Sequence, residues 1–302
     1  MPETIPRRLS FASPIEAILQ TPILRGKKRK YYEFQFPAIT LNREEINSQV
    51  IRTPEGAYFL CRQILYTVQA TSQPSQLGRA RISSASVNRP NFAWTNELVS
   101  LELLGSTNPR TPHFLYRPTM IEPGSSLSLE VQNIDTSQHI YHVTLVGELI
   151  YDLTLEEIAF FSSYAWFAYR ISFAPNANAA ANPTIASSTF ELRTHPDADF
   201  YITHLVSTRF TRSNAAATGP TRTRVILGSQ GEPIMQEMVS NILLFGSYYN
   251  MTVVPVTSIG PTPLPFPIKV TANSSIFLQA MQADASTAAD EEILFEGIKV
   301  FK

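Results

Sequence analysis

The chain carries a single cysteine, Cys61, in 302 residues. One thiol excludes an intrachain disulfide framework and a cysteine-rich zinc site. Cys61 lies in an apolar run, which points to a core thiol rather than a nucleophile. Glycine is scarce at 12 residues, and neither a phosphate-cradling glycine loop nor a Gly-x-Ser-x-Gly elbow occurs. Charged residues make up 16%, below the usual ~25%. No stretch approaches the ~18 consecutive apolar residues of a membrane helix. No apolar h-region follows the early arginines, so the chain is expected to be made and kept in a reducing cytoplasm, or assembled there.

What is present suits an ordered β protein. Hydrophobic residues reach 44%, aromatics 11%, and there are 22 prolines. The length predicts two domains at ~150 residues each, and each half is large enough to bury a core. The sequence also repeats. Arg52 and Thr53, then Ala57, Phe59, Ile64 and Leu65, match Arg193 and Thr194, then Ala198, Phe200, Leu205 and Val206, at an offset of 141 (200 against 59). Residues 97–105 face 238–246 at the same offset, 125–129 face 274–278 at 149, and 143–147 face 293–297 at 150. The offset grows only between candidate strands, as loop insertions would make it.

Alternation is clearest at Leu127, Leu129 and Val131, with Ser128 and Glu130 between them, the period-two signature of a half-buried strand. Residues 58–68, 80–87, 98–104, 141–151 and 293–301 are further strand candidates. Many short strands with Pro- and Gly-rich turns predict sandwiches or barrels. The expected organisation is a basic arm over 1–35, a first β-sandwich over 36–152, a helix and linker over 153–187, and a second β-sandwich over 188–302. Within 153–187 a helix is expected from Thr154 to about Tyr169, with Thr154 as N-cap and Glu156 and Glu157 in its first turn. Its aromatics, Phe160, Phe161, Tyr164, Trp166 and Phe167, either pack between the sandwiches or face an adjacent subunit. The proline-rich stretch 251–267 is expected to be extended and PPII-like.

Charge is uneven. Residues 1–30 hold seven cations against two carboxylates, a net +5, which leaves −6 for the remainder. A short helix over 13–20 would put Ile15, Ile18 and Leu19 on one apolar face. The dense cluster Arg25, Lys27, Lys28, Arg29 and Lys30 follows it. The arm is expected to dock on another subunit, with contact to nucleic acid as the alternative.

Candidate chemistry is sparse. His139 and His142 fall on opposite faces of a strand and do not converge on one ion. Glu44-Glu45, Glu156-Glu157 and Glu291-Glu292 are adjacent in sequence and diverge. Asp197 and Asp199 sit at a turn beside Pro196. No catalytic residue, metal or cofactor is expected.

The stretch 117–133, with Pro123-Gly124 leading into Leu127, Leu129 and Val131, followed by 142–149 with Val143, Leu145 and Gly147, resembles the last two strands of many phage structural modules. Residues 267–277 with 295–299 fit the same mould. Two such sandwiches in succession resemble the tandem jelly-roll proteins of viruses and bacteriophages, found in coats, collars and accessory rings. The resemblance covers about two-thirds of the chain and carries over no catalytic residue. It implies an all-β, non-enzymatic virion protein that assembles with copies of itself and other virion proteins into a shell or ring in the host cytoplasm, with no membrane contact. The alternative is a carbohydrate-binding β-sandwich module, which would need exposed aromatics over a groove. Trp94 and Trp166 are its only tryptophan candidates.

Overall fold

A computed structural model describes residues 27–69, 78–86, 91–105, 114–173, 188–211, 221–227, 232–233, 239–240, 262–282 and 289–301. The first half supplies strands β1 (Arg29–Gln35), β2 (Ile39–Leu41), β3 (Ile46–Arg52), β4 (Tyr58–Gln69), β5 (Gly78–Ala85), β6 (Phe92–Ala93), β7 (Val99–Ser100), β8 (Phe114–Ile121), β9 (Ser126–Asn133) and β10 (His139–Ile150). The second supplies β11 (Tyr164–Phe173), β12 (Ser188–Arg193), β13 (Ala198–Thr211), β14 (Thr221–Leu227), β15 (Glu232–Pro233), β16 (Val239–Ser240), β17 (Thr262–Val270), β18 (Ser275–Gln282) and β19 (Ala289–Phe301).

Sheet 1A runs β1-β10-β4-β8 with β2 also on β10, and sheet 1B runs β3-β9-β5-β6 with β7 also on β5. Sheet 2A runs β11-β19-β13-β17, and sheet 2B runs β12-β18-β14-β15 with β16 also on β14. Replacing each first-half strand by its second-half counterpart reproduces the order, and among the described residues only β2 has no counterpart. Two facing antiparallel sheets, each drawing strands from both ends of its segment, make a jelly roll. The fold is therefore two tandem jelly-roll sandwiches.

The matched residues occupy equivalent places. Phe59 stands between Leu149 and Ile121 in the ladder, and Phe200 between Lys299 and Val270. Sheets 1A and 2A are bulged at matching points on their central pairs: Arg62 is skipped opposite Val146 and Gly147, and Thr203 opposite Glu296 and Gly297. At both places the glycine is required. A Cβ on Gly147 would lie 2.0 Å from the Leu60 carbonyl oxygen, and one on Gly297 would lie 1.9 Å from that of Tyr201. The repeated threonine also has one job. The Thr53 N–H donates to Ser125 O at 3.0 Å and its hydroxyl to Glu122 O at 2.9 Å. The Thr194 N–H donates to Ser274 O at 2.8 Å and its hydroxyl to Thr271 O at 3.0 Å. Each threonine ties down the turn that launches the next-to-last strand of its sandwich.

Leu127, Leu129 and Val131 of the alternating run are buried, as are Val143, Leu145, Ile276, Leu278, Ile293 and Phe295. Four expectations need correction. Residues 29–35 of the expected arm form β1, paired along its length with β10 of the same chain. The helix ends at Ser162, and 164–173 is the edge strand β11 of sheet 2A, so the 153–187 linker contains part of the second sandwich. Its residues are apolar towards both faces, which removes the polar alternation that marks a strand. Residues 98–104 split into β7 and a one-turn helix, Leu101–Leu104, whose three leucines are buried. Of the proline-rich stretch, 262–270 is strand β17, with 251–261 outside the described residues. Pro263, Pro265 and Pro267 fit there because β17 is an edge strand, where missing donors discourage pairing with another chain.

Candidate functional site

The described residues hold no cluster of three or more metal-ligating side chains. His139 is buried against Asp135 at 2.6 Å, and His142 lies on the opposite, half-buried face. Burial pushes the Cys61 thiol up to about 12, against a weak contact to the Gln63 carbonyl, so it is not poised as a nucleophile. Asp197 pairs with Lys299 at 3.2 Å, and Asp199 accepts the Ala272 N–H at 3.0 Å. Both tryptophans are fully buried and offer no stacking platform for a sugar.

The distinctive construction is the joint between the sandwiches. Strand β11 offers its outer edge to the first sandwich, and three alternate N–H groups on it are taken. Trp166 N–H donates to the Thr119 hydroxyl at 3.0 Å, Ala168 N–H to Trp94 O at 2.9 Å, and Arg170 N–H to the Asn96 side chain at 2.7 Å. Asn96 returns a bond to Arg170 O at 3.1 Å. A sheet edge that would otherwise invite pairing is thereby closed within one chain. Trp94 and Trp166 meet edge to face at 6.4 Å. Trp166, Ala168, Val206 and Leu294 of sheet 2A belong to the apolar core of the first sandwich. Residues Glu291 to Lys299 of β19 are consequently all buried, whereas β10 keeps polar residues half-exposed.

A carboxylate sits at the centre of this contact. Glu292 is fully buried and accepts the Ser100 N–H at 2.7 Å and the Ser100 hydroxyl at 3.0 Å. Arg170 Nε lies 3.0 Å from one of its oxygens and Arg79 Nε 3.6 Å from the other. The Arg170 Nε–H is not aligned with its oxygen and the Arg79 Nε is too far for a hydrogen bond, so these are ion pairs rather than directed hydrogen bonds. Arg170 also pairs with Glu97 at 2.8 Å. Ser100, Arg79 and Glu97 come from the first sandwich; Glu292 and Arg170 come from the second. Sequence reasoning noticed Glu291-Glu292 only as a poor acid/base pair. The available signal was the run Asp290-Glu291-Glu292 leading into the apolar Ile293, Leu294 and Phe295 of one strand, since buried acids need partners.

A small third core closes the other side of the joint: Leu60, Ile150, Phe161, Tyr164 and Ile298. Helix Leu155–Ser162 covers it, started by a capping box in which Glu157 N–H reaches the Thr154 hydroxyl and the Glu157 carboxylate accepts the Thr154 N–H at 2.7 Å. Of the candidate interface aromatics, Phe161, Tyr164, Trp166 and Phe167 are buried within their own chain and Phe160 is half-buried. The four buried rings pack in the cores on either side of the joint. Below them, the buried Lys299 ammonium lies 4.1 Å from the Phe167 ring centre and 2.7 Å from His195 Nδ1. Phe92 of the first sandwich lies 5.9 Å away.

The described end of the basic arm is held by its own body. Lys27 pairs with Glu157 at 2.9 Å and donates to Asp152 O at 2.9 Å. Lys28 N–H donates to the Asp152 carboxylate at 3.2 Å, and Arg29 meets Glu148 at 3.4 Å. Burial pushes the Glu157 carboxyl up, but Thr154 and Lys27 together hold it below its ordinary value. Lys30 is exposed on β1, near the Tyr32 ring. Lys27, Arg29 and the Lys28 backbone thus have partners in their own chain, while the Lys28 and Arg29 residues stay exposed. Ile15, Ile18, Leu19 and Arg25 lie outside the described residues.

No family model matches the chain, and no curated protein matches it. Solved structures do resemble it. The atomic structure of Sulfolobus Turreted Icosahedral Virus shares 10% identity at a TM-score of 0.47, over 89% of this chain and 90% of that one. The PBCV-1 virus capsid shares 9% at 0.41, over 92% and 96%. The major capsid protein P2 from Bacteriophage PM2 shares 11% at 0.37, over 91% and 98%. The assignment as a double jelly roll rests on the strand order above.

Proposed function

We propose that this chain is a structural, non-enzymatic subunit of a virus particle, a bacteriophage in particular, and that copies of it build a symmetric shell or ring. The observation that carries this reading is one jelly-roll order made twice and fastened by a buried joint. A unit of this kind presents two similar outlines at a fixed angle, so fewer chains fill a regular lattice. Its rigid sheets leave loops and arms free to make contacts. The matched bulges, glycines and turn-locking threonines support an origin by internal duplication.

In this reading the part of the basic arm before β1 docks on a neighbouring copy, with Ile15, Ile18 and Leu19 as the apolar contact. Other virion proteins are further partners, and assembly takes place in the host cytoplasm. Electron microscopy and sedimentation of the purified full-length chain test the proposal. Discrete rings, shells or closed oligomers are expected. A protein that stays monomeric at all concentrations and binds glycans would replace this reading with the carbohydrate-binding one. Steeply salt-dependent DNA binding would make the arm genome-facing.

A further inference from the structure

We infer that Glu292 is a positioning residue that pins the angle between the two jelly rolls. Its role is to choose one docking geometry, more than to hold either sandwich together. The joint has ample apolar contact without it: the mixed core around Trp94 and Trp166, and the plug of Leu60, Ile150, Phe161, Tyr164 and Ile298. Apolar contact is non-directional and tolerates sliding. Directed contacts do not. Glu292 takes both donors of a single residue, Ser100, at 2.7 and 3.0 Å. Both its oxygens also face cations, one on each sandwich, Arg79 and Arg170. A slide of one residue along β11 would strand a carboxylate that has no access to water.

Placement supports the same reading. Ser100 belongs to β7, next to the one-turn helix whose leucines enter the mixed core. Arg170 ends the row of three β11 N–H groups taken by the first sandwich. The pin therefore joins the two directional parts of the interface, the edge row and the face contact. The equivalent position in the first sandwich, at the offset of 150, is His142, which lies on a half-buried sheet face (292 against 142). The carboxylate is thus a feature of the joint and not of the jelly roll as such.

Hydrogen exchange on the full chain, measured for Glu292→Gln, separates positioning from general support. Peptides spanning 92–105 and 164–173 report the joint. Peptides spanning 126–133 and 275–282 report the sandwich interiors. Loss of one charge-assisted contact should speed exchange at the joint by about tenfold while the interiors stay within about twofold of wild type. If all four regions speed up together, Glu292 is ordinary core support; if none changes, it pins nothing. Should Glu292→Gln fail to fold, Ser100→Ala is read instead. It removes one of the two directed bonds and leaves the carboxylate paired, so the same contrast between joint and interior is required. None of these outcomes depends on whether the protein assembles into particles.

Discussion

Replacing Gly297 by alanine tests the bulged crossing that both halves share. The new methyl carbon would lie 1.9 Å from the Tyr201 carbonyl oxygen, against roughly 3.4 Å for an ordinary close contact. The strands must part by about 1.5 Å, and neither partner is a flexible side-chain end. Forcing extra atoms into a packed site costs about 1–3 kcal/mol. Parting the ladder weakens about two hydrogen bonds at ~0.5–1.5 kcal/mol each. A loss of roughly 3 kcal/mol follows, which lowers Tm by roughly 6–12 °C at ~2–4 °C per kcal/mol. Gly147→Ala meets Leu60 O at 2.0 Å and should fall in the same direction. It should lose less, because β10 keeps half-exposed neighbours while β19 is enclosed on both faces. Gly56→Ala is the control: its φ is +86°, but nothing lies within 4 Å of the added carbon, so only the left-handed backbone penalty of about 1–2 kcal/mol applies. Scanning calorimetry of the three variants decides the matter. If Gly297→Ala melts no lower than Gly56→Ala, the close approach is not real.

Leu129→Ala should destabilise by about 2–5 kcal/mol, since the side chain is 1% exposed and leaves a cavity; an unchanged urea midpoint would place Leu129 on the wrong face. Burial first, and then the Lys299 ammonium, hold the His195 imidazole below its ordinary value, against the pull of Asp197. A lowered imidazole contributes stability that is full above the unfolded value of about 6.5 and lost as pH falls through the folded value. Wild type should therefore lose more stability than His195→Gln between pH 7.5 and pH 5, and equal losses by urea unfolding would remove His195 as the cause. Deleting residues 1–26 should leave both sandwiches folded and weaken oligomers, as read by circular dichroism and sedimentation; undiminished assembly would show that the segment is not an assembly device.

Strands with one wet face were legible in the sequence. In β9, Leu127, Leu129 and Val131 alternate with Ser128 and Glu130, and all three are buried. The repeat was legible for a related reason: the bulge and the turn lock each demand one residue type, glycine and threonine. Strand β11 was not legible, because it is covered on both faces and its aromatics follow a genuine helix start at Thr154. The joint was hidden by distance along the chain. Ser100 and Glu292 are 192 residues apart, and neither has a motif around it. The intrachain partners of Lys27 and Arg29 were not legible, because a charge balance does not say which carboxylates lie within reach.

Strand β19 follows every other strand of its sheet in chain order, yet it is the central partner of both β11 and β13. During synthesis the first sandwich has all its strands once β10 emerges, whereas β11 must wait for β19. The end of β11 and the start of β19 lie 116 positions apart (289 − 173), which at ~5–20 residues per second is a delay of roughly 6–23 s. For that time Tyr164, Trp166, Phe167 and Tyr169 have only the edge of the first sandwich to lie against. The nascent chain thus holds a half-built sheet rich in aromatic surface, open to pairing with the same strand of a neighbour on the same message. Slowing translation downstream of β11 should lengthen that exposure and lower the soluble yield, while slowing it after β19 should not.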